Sequence, residues 1–159
     1  MQTSDEVTGS VTPQYTGRRF PEETLRPYSM PRRIIAVAAA WLVPGAGHLA
    51  LGRFGRAALF FFVIAGSFIF GLVLKGRLFW PAAVEPPSTL SFDLITVLWF
   101  FAQIGGGLCY LLSYALGFGT SPQPQAATYD YGNTFMILAG LLNYLVVHDA
   151  FDIAAGRKR

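Results

Sequence analysis

Residues 57–74 read AALFFFVIAGSFIFGLVL, a run without a charged residue or a proline. As an α-helix that rises about 1.5 Å per residue, the run would be about 27 Å long, close to the thickness of about 30 Å of a bilayer's hydrocarbon core. Arg53 and Arg56 precede the run, and Lys75 and Arg77 follow it. Charges at both ends of an apolar helix are typical of a membrane crossing. This stretch therefore predicts a transmembrane helix.

The composition of the whole chain is that of a membrane protein with a polar tail. Of its 159 residues, 53% are hydrophobic and 13% are charged, whereas a soluble domain carries about 25% charged residues. Residues 1–30 hold much of the charge, include three prolines and lack apolar periodicity, so they are predicted to form a disordered cytoplasmic tail. Residues 31–159 are predicted to form a transmembrane helical domain. The net charge of +3 is small, and the basic residues flank apolar runs, which argues against nucleic-acid binding.

Four apolar runs predict an all-α fold, a polytopic membrane helix bundle of about four transmembrane segments. The runs cover residues 34–51, 57–74, 92–116 and 133–153. The first run is short and is predicted to be kinked at Pro44. Its first ten residues would rise only about 15 Å as a helix, half of a hydrocarbon core. The run therefore either crosses as a short, kinked span or enters the membrane and turns back.

Polar and aromatic residues around the third run also have expected roles. Gly105, Gly106 and Gly107 in the middle of the run permit a kink or a close helix approach. Gln103, one turn away, is a candidate for an interhelical hydrogen bond. Phe79 and Trp80, in the loop before the run, are predicted to anchor the chain at the membrane interface.

The distribution of Lys and Arg residues favours one topology. If all four runs cross and the N-terminus is inside, ten of these residues lie on the inner side, and only Arg53 and Arg56 lie outside. If the first run turns back, the split becomes seven inside and five outside. The sequence therefore predicts four crossings of a bacterial inner membrane with both termini in the cytoplasm. Arg32 and Arg33 also suggest a twin-arginine export signal, but the residues after them lack the rest of that pattern.

The most distinctive stretch is residues 41–56, WLVPGAGHLALGRFGR. Its candidate residues are Pro44, Gly45, Gly47, His48, Gly52 and Arg53. The proline and the glycines predict a tight turn at membrane depth, in which the glycines take positive φ angles. His48 is expected to hydrogen-bond carbonyls that the turn frees, and Arg53 to reach lipid phosphates. The alternative is that His48 is a metal ligand or a proton carrier, for which the sequence offers no second ligand nearby.

A second group of polar residues lies in the fourth run, at Asn143, His148, Asp149 and Asp152. Asn143 is predicted to be buried. His148 and Asp152 are four residues apart and Asp149 and Asp152 three, so that on a helix each of these two pairs shares a face. Such a face could hold a metal ion or relay a proton, but the favoured interpretation is a helix end that emerges into water. In the predicted topology, this end and His48 lie at opposite faces of the membrane.

These stretches carry a resemblance to known families. The Gly-Ala-Gly-His step at residues 45–48 and the Leu-Gly-Arg step at residues 51–53 resemble the junction of the two-transmembrane-helix domain family, where a G-x-G-x-H pattern is followed by a Y-L-G-R-like step. This sequence has Leu49 and Ala50 where that family often has an aromatic residue. Residues 129–150, with Asn143 and Asp149, resemble a related family of bacterial membrane proteins of unknown function. The resemblance implies a helical membrane fold and no particular activity.

The predicted function follows from the absence of a recognisable catalytic, cofactor or metal motif in the sequence. We expect no enzyme and no cofactor, but a structural or interaction component whose partners are the lipid bilayer and another membrane protein or a second copy. One alternative is a subunit of an oligomeric transporter or channel with His48, Gln103 and Asn143 along its path. Another is an intramembrane enzyme, which would require His48 to meet the residues around Asp149.

Overall fold

The computed structural model describes residues 27–80 and 94–158, which form six α-helices and no strand. The helices are α1 (Met30–Leu42), α2 (Ala46–Ala50), α3 (Phe54–Val73), α4 (Leu94–Ile104), α5 (Leu108–Ala115) and α6 (Tyr129–Ala154). The predicted all-α class is confirmed. Most of the predicted tail lies outside the described residues, but Tyr28 is described and its backbone N–H donates to the carbonyl of Ala154.

Helices α3 and α6 form the centre of the molecule and run antiparallel. Gly71 of α3 lies against Gly132 and Met136 near the start of α6, whereas Val63 and Leu145 line one groove nearer the opposite end. Small residues let two helices approach closely where the lipid removes the hydrophobic force between them. Among the described helices, α3 and α6 are each long and apolar enough to cross a membrane. Helices α4 and α5 would provide a third crossing if together they form one bent span.

The first apolar run forms a helical hairpin, which we call the first hairpin: α1, the turn at residues 43–45, and α2. The break lies at Pro44 as predicted, and Gly45 takes a φ of 83°. After the turn the chain reverses direction. The reversal is seen in the packing of Gly47 of α2 against Ala36 and Ala40 of α1. The carbonyl of Ala50, the last residue of α2, accepts a hydrogen bond from the Arg32 side chain at the start of α1.

Both ends of the first hairpin lie beside the C-terminal end of α6. The Arg33 side chain donates to the carbonyl of Ala154 at 3.2 Å. Leu51, after α2, packs in one buried cluster with Ala36, Ile153 and Ala154. Of the two arrangements that the sequence left open for the first run, these contacts match the one in which the chain turns back.

Helices α4 and α5 form a second hairpin, bent by 112° at residues 105–107. Its two arms enclose the segment that follows α3. Phe79 packs edge-on against Trp99 of α4, and its carbonyl accepts a hydrogen bond from the Tyr110 hydroxyl of α5. The expectation that Phe79 is an interfacial anchor is wrong, because its ring is 5% exposed inside the hairpin.

The tips of the two hairpins touch each other halfway along α6. A Cβ atom at Gly107, the tip of the second hairpin, would collide with the carbonyl oxygen of Trp41 at the tip of the first. Gly105 packs against Gly140 of α6 in the same way. Only glycine fits at Gly107, where φ is also positive, at 58°. The kink and the close approach predicted for residues 105–107 are therefore both present.

Candidate functional site

His48 lies in α2, and its side chain is completely buried. The Nε2 atom is 3.0 Å from Oδ2 of Asp149, and the ring packs edge-on against Phe60 of α3 at 4.9 Å. With a neutral ring, the Nε2–H group donates to the carboxylate and Nδ1 is left as an acceptor. No partner for Nδ1 is found within the part of the chain that the structure describes. His48 thus connects the first hairpin to both long helices.

This contact corrects one prediction from the sequence. His48 and Asp149 were expected at opposite faces of the membrane, but they form a hydrogen-bonded pair. The physical reason is the reversal at Gly45, whose left-handed φ of 83° sends α2 back toward the end of α6. A helix that continued straight through the break would have carried His48 away from Asp149.

The carboxylates at the end of α6 are also linked to basic residues that the sequence analysis did not select. Lys158 Nζ is 3.2 Å from Asp149 Oδ1 and 3.6 Å from Asp152 Oδ2. Arg157 Nη1 is 3.6 Å from Asp152 Oδ1. The hydrogen bond and the negative charge of Asp149 raise the pKa of Lys158, with a smaller contribution from Asp152. We call His48, Asp149, Asp152, Arg157 and Lys158 the charged cluster.

A backbone turn positions Lys158. Gly156 has a φ of 73°. The N–H of Gly156 donates to the carbonyl of Ile153, and that of Arg157 donates to the carbonyl of Asp152. These two bonds define a Schellman motif, which ends a helix and turns the chain back along its last turn. The sequence signal for this motif is Gly156 directly after the apolar pattern, followed by cations.

His148 takes no part in the charged cluster. Its side chain is exposed, and its Nδ1 is 2.8 Å from the carbonyl oxygen of Tyr144, one turn earlier in α6. His148, Asp149 and Asp152 all line one groove, but only Asp149 also reaches the first hairpin. The prediction of a helix end that emerges into water fits His148 better than Asp149.

Asn143 is completely buried and lies where the two hairpin tips meet. Its Nδ2 atom donates to the carbonyl of Gly105 at 2.8 Å and to that of Trp41 at 3.1 Å. Both acceptors belong to helix ends, where carbonyls lack a partner in the next turn. One amide group therefore satisfies a helix break in each hairpin.

Other buried polar side chains stabilise the segment after α3 in the same manner. Gln103 accepts from the N–H of Phe79 and donates to the carbonyl of Arg77, both at 2.9 Å. Asn133 accepts from the N–H of Arg77 at 2.7 Å. The predicted hydrogen-bonding role of Gln103 is therefore present, although its partner is an irregular segment rather than a helix.

The glycines of residues 44–53 have two different roles. Gly45 and Gly52 take positive φ angles, of 83° and 78°. Gly47 does not: it is needed because a Cβ atom there would lie 2.6 Å from the Ala36 carbonyl oxygen and from the Ala40 Cβ. Pro44 is buried in the turn. Arg53 occupies the N-cap of α3 without a side-chain capping bond, and its expected contact with lipid phosphate stays a prediction.

The chemistry available to the charged cluster is limited by its composition. Among residues 27–80 and 94–158, no group of three or more His, Cys, Asp or Glu side chains could hold a metal ion. The cluster offers a buried imidazole, two carboxylates and two cations, which can bind one another or a charged group placed at their open side. That open side adjoins a groove of about 620 Å³ between α3 and α6.

These features define an all-helical protein with two or three helices able to cross a membrane and with helix breaks held by buried polar side chains. The chain belongs to a family of unknown function (DUF6677), whose model matches residues 35–159. The match begins in α1 and continues through α6 to the C-terminus. The predicted membership in a family of unknown function is confirmed. No curated protein and no solved structure matches the chain.

Proposed function

We propose that the chain is a non-enzymatic integral membrane protein of a bacterial cytoplasmic membrane, which acts by binding another membrane protein or a second copy of itself. The observation that carries this proposal is what the buried polar side chains do. Gln103, Asn133 and Asn143 all bind backbone groups at helix breaks or in irregular segments. They are therefore used to maintain the fold.

The bilayer explains why these bonds are needed. Inside hydrocarbon, each backbone N–H or carbonyl without a partner costs several kcal/mol, so irregular backbone survives only where protein satisfies it. The tips of the two hairpins, which meet halfway along α6, are irregular backbone of this kind. Asn143 supplies donors to both tips. A polar path for a transported solute would instead leave such groups facing an open channel.

The contacts also support a topology. The first hairpin enters and leaves beside the C-terminal end of α6. The chain leaves the second hairpin at Gly119, four residues after α5. The carbonyl of Gly119 accepts a hydrogen bond from the N–H of Leu78, near the C-terminal end of α3. We therefore favour two full crossings, by α3 and α6, with two hairpins that return to the side they entered. The predicted four crossings would require each hairpin to pass through the membrane.

This topology keeps both termini on one side and agrees with the positive-inside rule. The outer side would hold only Lys75 and Arg77. The inner side would hold Arg18, Arg19, Arg26, Arg32, Arg33, Arg53, Arg56, Arg157, Lys158 and Arg159. The split is again ten to two, compared with seven to five when the first hairpin alone turns back.

The outer faces of the long helices are available for lipid and for a partner. Phe62 and Val73 of α3 and Leu145 of α6 are each more than 45% exposed. Apolar side chains of this size would be unfavourable in water, but they suit the hydrocarbon core and a helix–helix contact within it. The proposed partner is therefore a membrane protein that contacts these faces.

A second candidate function rests on the link between His48 and Asp149. A hydrogen-bonded series of imidazole and carboxylate groups can carry protons. Here Asp149 connects the buried ring of His48 to Lys158 at the surface. A proton-conducting subunit would use this connection. Phe60 packs against the ring, and His48 is completely buried, so we favour the structural role. Proteoliposomes that lose a pH gradient with the wild type and retain it with His48→Gln would reverse this preference.

Cross-linking in native membranes, followed by purification in mild detergent and mass spectrometry, tests the proposed interaction. We expect one recurrent cross-linked species, either a dimer of the chain or a complex with a single membrane protein in fixed proportion. Recovery of the chain only as a monomer, with cross-linkers placed on the exposed faces of both α3 and α6, would contradict the proposal.

A further inference from the structure

The groove between α3 and α6 joins an apolar channel to a charged opening. Its walls include Leu59 and Val63 from α3 and Leu142 and Leu145 from α6, and its opening is formed by Asp152 and Lys158. The volume of about 620 Å³ lies within the range of about 300–1,000 Å³ typical of small-molecule sites. All polar groups lie at one end, so an occupant must be an amphiphile with its polar group there.

The two carboxylates at the opening differ in what they have left to bind. Both oxygens of Asp149 are engaged, by His48 at 3.0 Å and by Lys158 at 3.2 Å. The contacts of Asp152 with Arg157 and Lys158 are longer, at 3.6 Å each, which is beyond hydrogen-bond distance. The Asp152 carboxylate therefore retains the capacity to accept a hydrogen bond from an ammonium group.

Lys158 lines the opening, and Arg157 lies beside it as an ion-pair partner of Asp152. The side chains of Arg157 and Lys158 are 68% and 55% exposed. Both carry several N–H donors, which suit phosphate oxygens. A headgroup with an anionic phosphate and a primary ammonium separated by a short spacer would therefore meet a charge of opposite sign at each end.

We infer that this groove binds one acyl chain of a phospholipid with a primary-amine headgroup, such as phosphatidylethanolamine. The ammonium lies at Asp152 and the phosphate lies at Lys158 and Arg157. A choline headgroup has no N–H to donate to Asp152, and a glycerol headgroup has no cationic group to pair with its carboxylate. The inference rests on the proposed membrane placement and specifies what the charged cluster recognises.

The test uses the full chain, reconstituted in vesicles of equal parts phosphatidylethanolamine, phosphatidylglycerol and phosphatidylcholine with identical acyl chains. After extraction in mild detergent, mass spectrometry measures the lipid that stays bound. We expect phosphatidylethanolamine to be retained about fivefold over each of the other two lipids, the preference that one partly exposed charge pair can supply. Equal retention of the three lipids, or enrichment of phosphatidylglycerol, would overturn the inference.

Two substitutions and their matched controls locate the site. Asp152→Asn should reduce retention of phosphatidylethanolamine to that of phosphatidylcholine, whereas Asp130→Asn, an exposed carboxylate at the other end of α6, should change nothing. Leu142→Trp should fill the groove and reduce retention of all three lipids. Leu138→Trp, one turn earlier and outside the groove, should not. If Asp152→Asn keeps the preference for the ethanolamine headgroup, the assignment of Asp152 is wrong.

Two further measurements keep the outcome unambiguous. If Asp152→Asn does not fold, the thermal stability of the wild type in the presence of each lipid decides, because a bound ligand raises the stability of the folded state. Phosphatidylethanolamine should raise Tm more than the other two lipids, and an equal rise would reject the inference. Alkaline extraction of the wild type separates the two hypotheses: release from the membrane contradicts the membrane placement itself, whereas retention without lipid preference contradicts only this inference.

Discussion

At the scale of single residues, Asn143 shows how one side chain can stabilise two helix breaks. Its Nδ2 atom donates to the carbonyls of Trp41 and Gly105, at 3.1 and 2.8 Å. A buried acceptor that loses its donor costs about 1–3 kcal/mol, and in hydrocarbon water cannot replace the donor. The fold therefore depends on the donor capacity of this residue more than on its size.

Asn143→Asp tests this dependence, because it preserves the shape of the side chain and removes both N–H donors. We expect the free energy of unfolding to fall by about 3 kcal/mol, since two carbonyl oxygens then face a carboxyl group. Thermal aggregation in detergent, compared with that of Asn143→Gln, measures the effect. Gln retains the donors on a longer side chain and should be milder. An Asn143→Asp protein as stable as the wild type would mean that water reaches the hairpin tips.

Gly47 and His48 are adjacent but should respond differently to substitution. Gly47→Val places a branched side chain against Ala36, Ala40 and Ala150, and we expect a loss of about 3 kcal/mol through overpacking. His48→Gln can still donate to Asp149, so its loss should be about 1 kcal/mol. Thermal aggregation of both purified variants provides the comparison. If His48→Gln is as stable as the wild type but abolishes the cellular phenotype of the gene, His48 has a functional role.

The sequence predicted some residue roles and could not predict others. The turn at Pro44 and the burial of Asn143 follow from composition and position along an apolar run. The pairing of His48 with Asp149 does not, because the residues are 101 positions apart in the sequence. Their contact depends on whether the first run continues or reverses, and hydropathy is the same for both paths. His48 and Asp149 were both identified as candidates, but they were expected at opposite faces of the membrane.

At the scale of helices and hairpins, glycines decide where the two hairpins meet. Gly107 and Gly117 both have positive φ angles, 58° and 76°. They differ in their surroundings: a Cβ at Gly107 would collide with the Trp41 carbonyl oxygen, whereas a Cβ at Gly117 would have no atom within 4 Å among the described residues. The pair therefore separates backbone strain from steric contact.

Gly107→Ala and Gly117→Ala should both be destabilising, by unequal amounts. A positive φ costs an alanine about 1 kcal/mol or more at either position, and Gly107, with a ψ of −123°, lies outside the left-handed helical region. At Gly107 the clash with the first hairpin should raise the loss to about 3 kcal/mol or more. Thermal unfolding of the two variants in the same detergent measures the difference. Equal losses would show that the hairpin tips do not touch in the membrane.

Helix boundaries illustrate what local sequence can specify. Gly52, Gly117 and Gly156 each follow a helix and take the left-handed conformation that ends it, as a glycine after an apolar pattern indicates. The 112° bend between α4 and α5 is different. Three consecutive glycines permit a bend, but both arms of the bend also contact Phe79, which belongs to a separate part of the chain.

At the scale of the whole molecule, the topology predicts which residues share a membrane face. Ser29, Gly55 and Lys158 should all lie in the cytoplasm, and Gln123 outside. Single cysteines at these positions, in a chain with Cys109→Ser, can be labelled with an impermeant maleimide. We expect only the cysteine at position 123 to react from outside. Reaction at position 55 from outside would mean that the first apolar run crosses the membrane completely.

The N-terminal segment provides a second test at this scale. Deletion of residues 1–26 should leave membrane yield and thermal stability unchanged, because the predicted tail lacks apolar periodicity. Deletion of residues 2–29 should lower stability by about 1 kcal/mol. The loss is expected because this deletion removes Tyr28. The backbone N–H of Tyr28 donates to the carbonyl of Ala154, and its ring lies 4.6 Å from the Arg32 guanidinium. Loss of insertion in the shorter deletion would show that the tail carries folding information.

The overall class was predictable, whereas the path of the chain was not. Residues 57–74 predicted a membrane helix, and α3, which is long and apolar enough to cross a membrane, occupies Phe54–Val73. The sequence also favoured termini on one side, which two crossings provide as well as four. Charge counting could not separate these arrangements, because both place ten basic residues inside. The proposed two crossings are favoured instead by where the ends of the two hairpins lie, beside the C-terminal end of α6 and near the end of α3.

The bonds of Asn143 have a consequence for how the protein is made. Trp41 leaves the ribosome 102 residues before Asn143 does, a delay of about 5–20 s when synthesis adds about 5–20 residues per second. During that interval the tip of the first hairpin has no donor for its carbonyl, so the nascent hairpin must wait near the headgroups or beside the insertion machinery. Synthesis of the last helix then completes assembly. A chain truncated before that helix would remain an unfinished intermediate, and we expect membrane quality-control proteases to remove it.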